Sequence, residues 1–493
     1  MQIGRYYDNF TEKLRKAVQK HRFLLKPYCV LAALYLVGIC GILRANFYYR
    51  DDMGRALEGY HDWASLYRYI PEGLSTILHT DTRLRDIAPL TQILAALILA
   101  LASVLVLQIL KERTKNISWI HCIAVLPLGL SPYFLECYAY RYDAPYMALS
   151  VLFAILPFCF AGTLSFLIAS AAFTLAVCLT YQTSLSIFPM LATFTAFLAW
   201  NQKEEGKAVL KRLALSIAGY GIGLGIFKLI LIIPKDGYVP VTTPPLSKLP
   251  GTAAVNFAAY VRQILNDFTT VWLVIAAVIL AHFILTAVLV SKRKKAAAFL
   301  LALVTLGAAF LFSFGIYPFL EQAQYKPRCM YGAGVFLAFA AVIAVSAKRV
   351  PAAKGFAAAL SWCFFVFAFI YGNALYCQAE YTDHRARSVI QDLSDLEEQL
   401  DDNNRYVQFT GSIGYAPVVH RSIKKMPILK RLVSVSLEEG NERWNSFGFF
   451  RFYGIRRINY SNNDLTGMNL PVMKDSMYQT IRSDGTNILV ELK

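Results

Sequence analysis

The sequence predicts an α-helical polytopic membrane protein with about eleven transmembrane helices and a small α/β domain at its C-terminal end. Of the 493 residues, 56% are hydrophobic and 14% are aromatic, and the mean hydropathy of +0.44 is far above that of a soluble globular chain. Apolar runs of about 17 to 25 residues, the length that crosses a bilayer, recur along the chain. They stop near residue 376, where a polar segment of different composition begins.

The candidate spans follow from these runs in order. They start near Pro27, Pro89, Ile117, Tyr146, Leu164, Ser184, Leu213, Thr270, Ala296, Tyr331 and Gly355. The third, fourth and sixth are short and contain or adjoin Pro127, Pro157 and Pro189, so the sequence defines the ends of these spans poorly. The first run follows a long basic segment and has no small-residue cleavage site, which favours a retained anchor over a signal peptide.

Basic segments orient these spans. The net charge of +17 would indicate nucleic acid on a soluble protein, but in a polytopic chain lysine and arginine act first as topology signals, so no nucleic-acid partner is predicted. The basic segments are 1–26, 111–115, 201–212, 291–295 and 347–354. All five fall on one side if the span count is right, and the positive-inside rule makes that side cytoplasmic.

The segments on the other side are predicted to be extracytoplasmic. They are 46–88, 132–145, 181–183, 234–269, 316–330 and everything after about residue 377. The loop 46–88 has five arginines against seven acidic residues, so it lacks the basic excess of the inner segments. We therefore predict a transmembrane domain over 27–376 and an extracytoplasmic domain over 377–493. Within the latter, 384–400 has the pattern of an amphipathic helix, and 405–411 and 486–493 have the pattern of strands.

Cysteines, histidines and glycines give no sign of a cofactor. The nine cysteines contain no CxxC pair, and most lie in or beside apolar runs, so neither a disulfide framework nor a zinc site is indicated. His61 and His79 in the first outer loop lack metal-ligand spacing. The glycine-rich stretch 219–225 lies inside a span and indicates close helix packing rather than a phosphate loop. No metal site is predicted, although the sequence leaves open whether a divalent metal takes part.

Two adjacent carboxylates, Asp51 and Asp52, stand where the first span ends. Carboxylates beside a membrane are costly enough to favour a functional role, and two like charges side by side raise one pKa, which suits a general base near neutral pH. The alternative is that they cap a following helix over 53–60.

The second outer segment places Glu136, Arg141 and Asp143 among tyrosines and phenylalanines. Tyrosines alone would indicate an interfacial belt. An arginine at the bilayer surface flanked by aromatic rings is also suited to binding a lipid phosphate.

Further candidates precede the tenth span. Glu321, Lys326 and Arg328 stand on the outer side, where basic residues oppose the positive-inside trend, and either a phosphate ligand or a salt bridge to Glu321 would explain them. Tyr181 and Gln182 are suited to hydrogen-bonding a sugar hydroxyl. Asp81 and Asp86 are lesser candidates.

The order of these motifs resembles the Gtr type II glucosyltransferases that modify bacterial O-antigen. The motifs are RDD at 50–52 with GRA, GY and Trp63 after it, DxxPLxQIL at 86–94, SPYFLE at 131–136, YRYDAPYMALS at 140–150, TYQTS at 180–184, KPR at 326–328 and YGAG at 331–334. The resemblance runs from about residue 46 to the last span. It implies a GT-C-like enzyme in the bacterial inner membrane whose active site faces outward. Its donor would be a polyprenyl-phosphate sugar, typically undecaprenyl-phosphate glucose, and its acceptor a surface glycan. A donor-making synthase and a flippase would be its functional partners.

The resemblance also implies roles for the candidate residues. A GT-C enzyme generally uses an acidic residue of the first outer loop, so we assign the base to Asp52, assisted by Asp51. The predicted phosphate ligands are Arg141, Lys326 and Arg328. The predicted sugar or acceptor ligands are Glu136, Asp143, Tyr181, Gln182 and Glu321. A single displacement would invert the anomeric carbon.

Two other functions fit many of the same features. A transporter or flippase of lipid-linked sugars would also have many spans with charged residues, but the charges here cluster in outer loops and no inverted repeat is evident. A glycan polymerase or ligase with a lipid-diphosphate donor would need the same outer cations, so the sequence separates it poorly from a glycosyltransferase.

Overall fold

The computed structural model describes residues 22–111, 117–233, 242–347, 350–400, 405–439, 447–455, 458–461 and 463–493. Most of the predicted basic segment 1–26 lies outside these ranges. The helices are α1 (Leu25–Ala45), α2 (Asp52–Glu58), α3 (Tyr69–His79), α4 (Leu90–Leu110), α5 (Trp119–Val125), α6 (Pro127–Leu130), α7 (Pro132–Ala139), α8 (Ala144–Ile155), α9 (Thr163–Cys178), α10 (Ile187–Asn201), α11 (Gly206–Ile230), α12 (Leu249–Asp267), α13 (Thr270–Val290), α14 (Lys295–Phe312), α15 (Pro327–Met330), α16 (Gly332–Ala344), α17 (Pro351–Ser394), α18 (Pro417–Lys425), α19 (Leu429–Leu432) and α20 (Phe447–Phe452). The strands are β1 (Arg405–Thr410), β2 (Ile458–Tyr460), β3 (Val472–Asp475), β4 (Gln479–Ser483) and β5 (Asn487–Leu492).

The predicted apolar runs coincide with helices. Seven described helices are long and apolar enough to cross a membrane: Arg22–Ala45, Leu90–Leu110, Gln182–Asn201, Gly206–Ile230, Thr270–Val290, Lys295–Phe312 and Pro351–Ser394. Trp119–Leu130 and Pro132–Ala139 form a pair bent by 61°, where Pro132 lacks the N–H that would continue the helix. Shorter apolar helices are Ala144–Cys159, Thr163–Cys178 and Gly332–Ala344. The prediction of a mostly helical chain with several membrane-length helices and a small C-terminal sheet is confirmed.

Small residues let several helices approach closely. An added Cβ at Gly219 or Gly223 of α11 would lie 2.5 Å from Ser170 or 2.7 Å from Thr174 of α9, which confirms the packing interpretation of the stretch 219–225. At Gly334 in the YGAG motif an added Cβ would lie 2.2 Å from Oγ of Ser131 in the SPYFLE motif. Two motifs that are distant in sequence are therefore held against each other at the start of α16.

The five-stranded sheet has the order β2-β1-β5-β4-β3. β1 pairs in parallel with β2 and β5, whereas β4 pairs antiparallel with β3 and β5. A hydrophobic cluster of its own, which includes Val407, Ile481 and Val490, lies under this sheet together with Val389 of α17. The predicted strands 405–411 and 486–493 correspond to β1 and β5.

The last span and the amphipathic helix predicted over 384–400 are one continuous helix, α17, of 44 residues. The sequence from Asn373 to Ser394 contains neither glycine nor proline, so nothing ends the helix at the membrane surface. The boundary predicted near residue 377 therefore falls inside a helix, and α17 connects the membrane helices to the sheet without a flexible link.

Part of the C-terminal region packs with the membrane helices instead of with the sheet. We call residues 414–438, which contain α18 and α19, the docked segment. Its side chains in the main helical core are Ala416, Val419, Ile428, Leu429, Leu432 and Val433. The Tyr371 hydroxyl donates to the Leu432 carbonyl at 3.2 Å, and the Gln378 amide bonds the backbone of both Gly414 and Ala416. The docked segment is thus fixed to α17.

Candidate active site

A polar cavity of ≈ 750 Å³ lies between the loop after α1, the start of α15 and the docked segment. Its basic lining residues are Arg50, Lys326, Arg328, Lys430 and Arg431, and its acidic ones are Asp51 and Glu438. The predicted candidates Asp51, Lys326 and Arg328 therefore meet in one place. Lys430 and Arg431 come from the docked segment and were not among the predicted site residues.

Asp51 and Asp52 have opposite environments. Asp51 is exposed and lines the cavity, whereas Asp52 is completely buried. Asp52 Oδ2 accepts hydrogen bonds from the backbone N–H of Tyr49 (3.1 Å) and of Arg141 (3.0 Å), and its Oδ1 has no partner among the described residues. Asp51, at the N-cap of α2, makes no capping hydrogen bond within the described part of the chain. The two acids therefore stand at the N-terminus of a helix, as the helix-cap alternative expected, but the Asp51 side chain does not cap it by a hydrogen bond to a described residue.

Burial controls the charge of Asp52. The loss of solvent raises its pKa to about 8, and the nearby Asp143 carboxylate acts in the same direction, while the N–H groups of Arg141 and Tyr49 and the charge of Arg55 oppose the rise. Asp52 is therefore largely protonated at neutral pH, but the cause is its burial and not the repulsion between the two adjacent carboxylates that the sequence argument invoked.

Arg50 lies in the turn directly before the two aspartates. Its φ of 49° lies in the left-handed region, which is unfavourable for a residue with a Cβ. Its guanidinium reaches the cavity, with Nε 3.7 Å from Oε1 of the buried Glu136. Backbone strain of this kind is tolerated where surrounding contacts hold it, and it is concentrated at functional sites.

Glu136 of α7 connects the elements that surround the cavity. It is completely buried and accepts hydrogen bonds from the Tyr49 hydroxyl (3.0 Å), the Arg328 backbone N–H (2.6 Å) and Arg328 Nη1 (3.0 Å). Glu136 was expected to bind the sugar or the acceptor. In the structure its carboxylate instead holds Arg328 and Arg50 in place. Arg328 also donates to the Tyr140 hydroxyl.

Lys326 and Glu321 separate in the structure. Glu321 is exposed and accepts a hydrogen bond from the Thr242 hydroxyl at 2.6 Å. The ion pair of Arg328 is with Glu136 and not with Glu321, so the salt-bridge explanation considered for these cations does not apply. Lys326 is exposed at the cavity and makes no ion pair with any residue in the described ranges; partial loss of solvent and the nearby charges of Arg328 and Arg50 lower its pKa.

Arg141 is placed differently from the predicted phosphate ligand. Its guanidinium donates to Asp86, to the Asn46 side chain and to the Phe47 carbonyl (3.3 Å), and it lies 4.0 Å from the centroid of the Tyr48 ring. Only 4% of the side chain is exposed. Its donors hold the two ends of the loop 46–88 to the turn between α7 and α8, and its backbone N–H holds Asp52.

Asp143 is also held internally. Its carboxylate accepts from Arg55 Nη1 at 2.6 Å and from Trp63 Nε1 at 2.5 Å, and the Arg55 guanidinium lies 4.4 Å from the Trp63 ring centroid. The side chains of Arg55 and Asp143 are 7% and 9% exposed. The pair joins α2 to α8 and is not free to orient a sugar.

Tyr181 lies behind the cavity. It is buried, and its hydroxyl donates to the Arg328 carbonyl at 3.3 Å, whereas Gln182 is half-buried at the start of a 3₁₀ turn. The Arg68 guanidinium lies 5.0 Å from the Tyr181 ring centroid, and its Nε has no hydrogen-bond partner among the described residues. Arg68 is a cation that the sequence argument missed, because the loop 46–88 contains four other arginines with no pattern to separate them.

The remaining polar candidates of the first outer loop pair locally. Asp81 pairs with Arg85 at 2.7 Å, and His61 lies 3.1 Å from the Ser75 hydroxyl. Across the ranges that the structure describes, no group of three or more His, Cys, Asp or Glu side chains is placed to hold a metal ion.

Comparisons with known proteins agree with the motif pattern. The family described as "Glucosyl transferase GtrII" matches residues 41–345, well over half of the chain. A relative from Salmonella phage P22, described as an uncharacterized 55.3 kDa protein in the gtrB 5' region, is 24% identical over 433 residues, which cover 84% of this chain and 86% of the relative. No solved structure gives a significant match. The matched family region includes Asp51, Glu136 and Lys326 but ends before the docked segment.

Proposed function

We propose, from the premise that this chain belongs to the GtrII glucosyl transferase family, that it transfers glucose from a polyprenyl-phosphate donor to a surface glycan at the outer face of the bacterial inner membrane. The observation that carries the proposal is the cavity in which Asp51 lies beside a group of cations. A carboxylate next to a cluster of cations is what transfer from a phosphate leaving group to a hydroxyl acceptor requires.

The membrane arrangement we propose is GT-C-like. The seven long helices, the bent pair and the three shorter apolar helices would together make eleven spans. With an odd number of spans the two ends lie on opposite sides, and we assign the N-terminus and the basic segments to the cytoplasm and the sheet to the outside by the positive-inside rule. The cavity then opens at the outer surface, where a lipid-linked donor and a glycan acceptor can both reach it.

Asp51 is the base in the mechanism we propose, with Asp52 as a positioning residue. The sequence-based assignment made Asp52 the base and Asp51 its assistant. We exchange the two roles because a general base must first be able to reach the acceptor hydroxyl, and only Asp51 lines the cavity. Asp51 takes the proton of the acceptor hydroxyl while the acceptor oxygen bonds the anomeric carbon. The bond from that carbon to the phosphate oxygen breaks, and the lipid phosphate leaves with the electron pair. One displacement inverts the anomeric centre.

The other predicted residues bind the donor or hold the residues that do. Lys326 and Arg328 hold the departing phosphate, and Glu136 orients Arg328. Arg141 and Asp143 are assigned to fixing the loop 46–88, so that Asp51 meets the acceptor in a defined position. Gln182, whose side chain is half-buried beside Tyr181, remains the proposed sugar ligand of this group.

The test is transfer of labelled glucose from undecaprenyl-phosphate glucose to envelope glycan in membranes that contain the wild type, Asp51→Asn or Asp52→Asn. Asp51→Asn should lower transfer by about 10²- to 10⁴-fold, the range of a lost general base. Asp52→Asn should stay within about tenfold of the wild type, since an asparagine oxygen can accept the same two backbone N–H bonds.

Two outcomes would count against the proposal. Loss of transfer in Asp52→Asn with transfer retained in Asp51→Asn, at equal insertion, would return the base to Asp52. No transfer by the wild type from this donor would reject the donor class, and a flippase assay with the same labelled lipid would then examine the transport alternative.

A further inference from the structure

We infer that the docked segment completes the donor site, with Lys430 and Ser434 binding the lipid phosphate together with Lys326. This inference rests on the proposed function and extends it to a part of the chain beyond the matched family region. The C-terminal region would then be part of the catalytic unit and not only a cover.

The docked segment is held firmly enough to form a binding wall. Arg431 donates to the Asp267 carboxylate at the end of α12 and to the Tyr325 carbonyl. Asp267 is itself buried, and it accepts further hydrogen bonds from the Tyr133 hydroxyl at 2.8 Å and the Gln263 amide at 3.0 Å. Arg431 therefore serves as the anchor of the segment and is already neutralised.

Lys430, the residue before Arg431, has no such ion pair among the described residues. Lys430 lines the same cavity but makes no ion pair with the residues that the structure describes. Its position is fixed through its own backbone, because the Tyr415 hydroxyl donates to the Lys430 carbonyl at 2.8 Å. A lysine held at a cavity wall with its ammonium group unpaired is available to an anion.

A hydroxyl group in the same wall supports an anionic ligand. Ser434 lines the cavity, and its Oγ is buried without a hydrogen-bond partner among the described residues. Buried polar atoms are almost always hydrogen-bonded, so an orphaned hydroxyl beside a lysine calls for a ligand with acceptor oxygens. Lys326 lines the same cavity and, like Lys430, makes no ion pair with a described residue. Two ammonium groups and one hydroxyl suit the non-bridging oxygens of a phosphate.

The experiment measures binding of undecaprenyl phosphate to the purified full-length protein in detergent by native mass spectrometry. Lys430→Ala should weaken binding about tenfold, the loss of one charge-assisted hydrogen bond, and Lys430→Arg should restore it. Lys425→Ala is the matched control, because Lys425 is an exposed lysine of the same segment outside the cavity, and it should bind as the wild type does.

A kinetic measurement separates donor binding from a structural role. In the glucose-transfer assay, Lys430→Ala should raise the KM for the donor about tenfold while kcat stays within about twofold. Ser434→Ala should raise KM about threefold, with no change in elution profile or melting temperature relative to Lys425→Ala.

The outcomes distinguish this inference from the proposed function. If Lys430→Ala binds and transfers with wild-type constants while Lys326→Ala does not, the docked segment is not part of the donor site and the proposed function stands. If the wild type itself neither binds undecaprenyl phosphate nor uses the sugar-linked donor, both are overturned.

Discussion

The buried Asp52 should make the stability of this protein fall as pH rises from about 4 to about 8. In the unfolded chain its carboxyl ionises near pH 3.9, whereas burial raises its pKa to about 8 in the folded protein. Between these values the folded state keeps a proton that the unfolded state has lost, so each pH unit costs about 1.36 kcal/mol of stability. The contribution of Asp52 to the free energy of unfolding is therefore complete below about pH 4, and Asp52 causes no further loss of stability above about pH 8.

Asp52→Asn removes this titration, because asparagine resembles the protonated acid and does not ionise. Between about pH 5 and about pH 7 the wild type should lose roughly 2.5 kcal/mol relative to the variant, since the unfolded chain is almost completely ionised over this range while the folded carboxyl is still mostly protonated. Both proteins keep the two backbone hydrogen bonds to the side-chain oxygen, so the comparison isolates the charge.

The assay is denaturation of the purified protein in mixed micelles, followed by tryptophan fluorescence at several pH values. Asp81→Asn is the control, because Asp81 pairs with Arg85 on the surface of the same loop and this pairing lowers its pKa. Its effect on stability therefore changes only below about pH 4. If the wild type and Asp52→Asn change in parallel from pH 5 to pH 7, the carboxyl of Asp52 is already ionised in the folded protein at pH 5 and the burial argument is refuted.

Two further predictions concern the contacts that hold the site. Asp143→Asn should lower the free energy of unfolding by about 3–5 kcal/mol, because it leaves the buried Arg55 without its charged partner, and denaturation at pH 7 measures the loss. Gly334→Ala should cost about 1–3 kcal/mol, because the added methyl would lie 2.2 Å from Ser131 Oγ. Gly307→Ala in α14 meets nothing within 4 Å and should be neutral or slightly stabilising in the same assay, and equal effects of the two glycine variants would contradict the packing argument.

Most of the charged motif residues hold the site together instead of facing the cavity. Glu136, Arg141 and Asp143 are buried in contacts that connect the loop 46–88 to the helices. Of the predicted charged candidates, Asp51, Lys326 and Arg328 line the cavity. Variants of the first group should therefore lose stability together with activity, and so should variants of Arg328, because it pairs with the buried Glu136. Variants of Asp51 and Lys326 should lose activity alone.

The sequence by itself determined the helices and the outline of the site. Apolar runs of bilayer length form helices because the backbone must satisfy its own hydrogen bonds in lipid, and each predicted run has its helix in the structure. The absence of a break between Asn373 and Ser394 also stands in the sequence, but a polar segment after a span suggested a new element, and the continuous α17 was missed.

Only the tertiary structure decided which residues face the cavity. Asp51 and Asp52 are adjacent, but successive residues at a helix start point about 100° apart, so one is exposed and the other buried. Lys430 lies over a hundred positions after Lys326 and meets the same cavity because the docked segment folds back onto α17. Local sequence patterns report periodicity and charge along one element. Which side chains share a space depends on contacts between distant elements, and these form only when the chain packs.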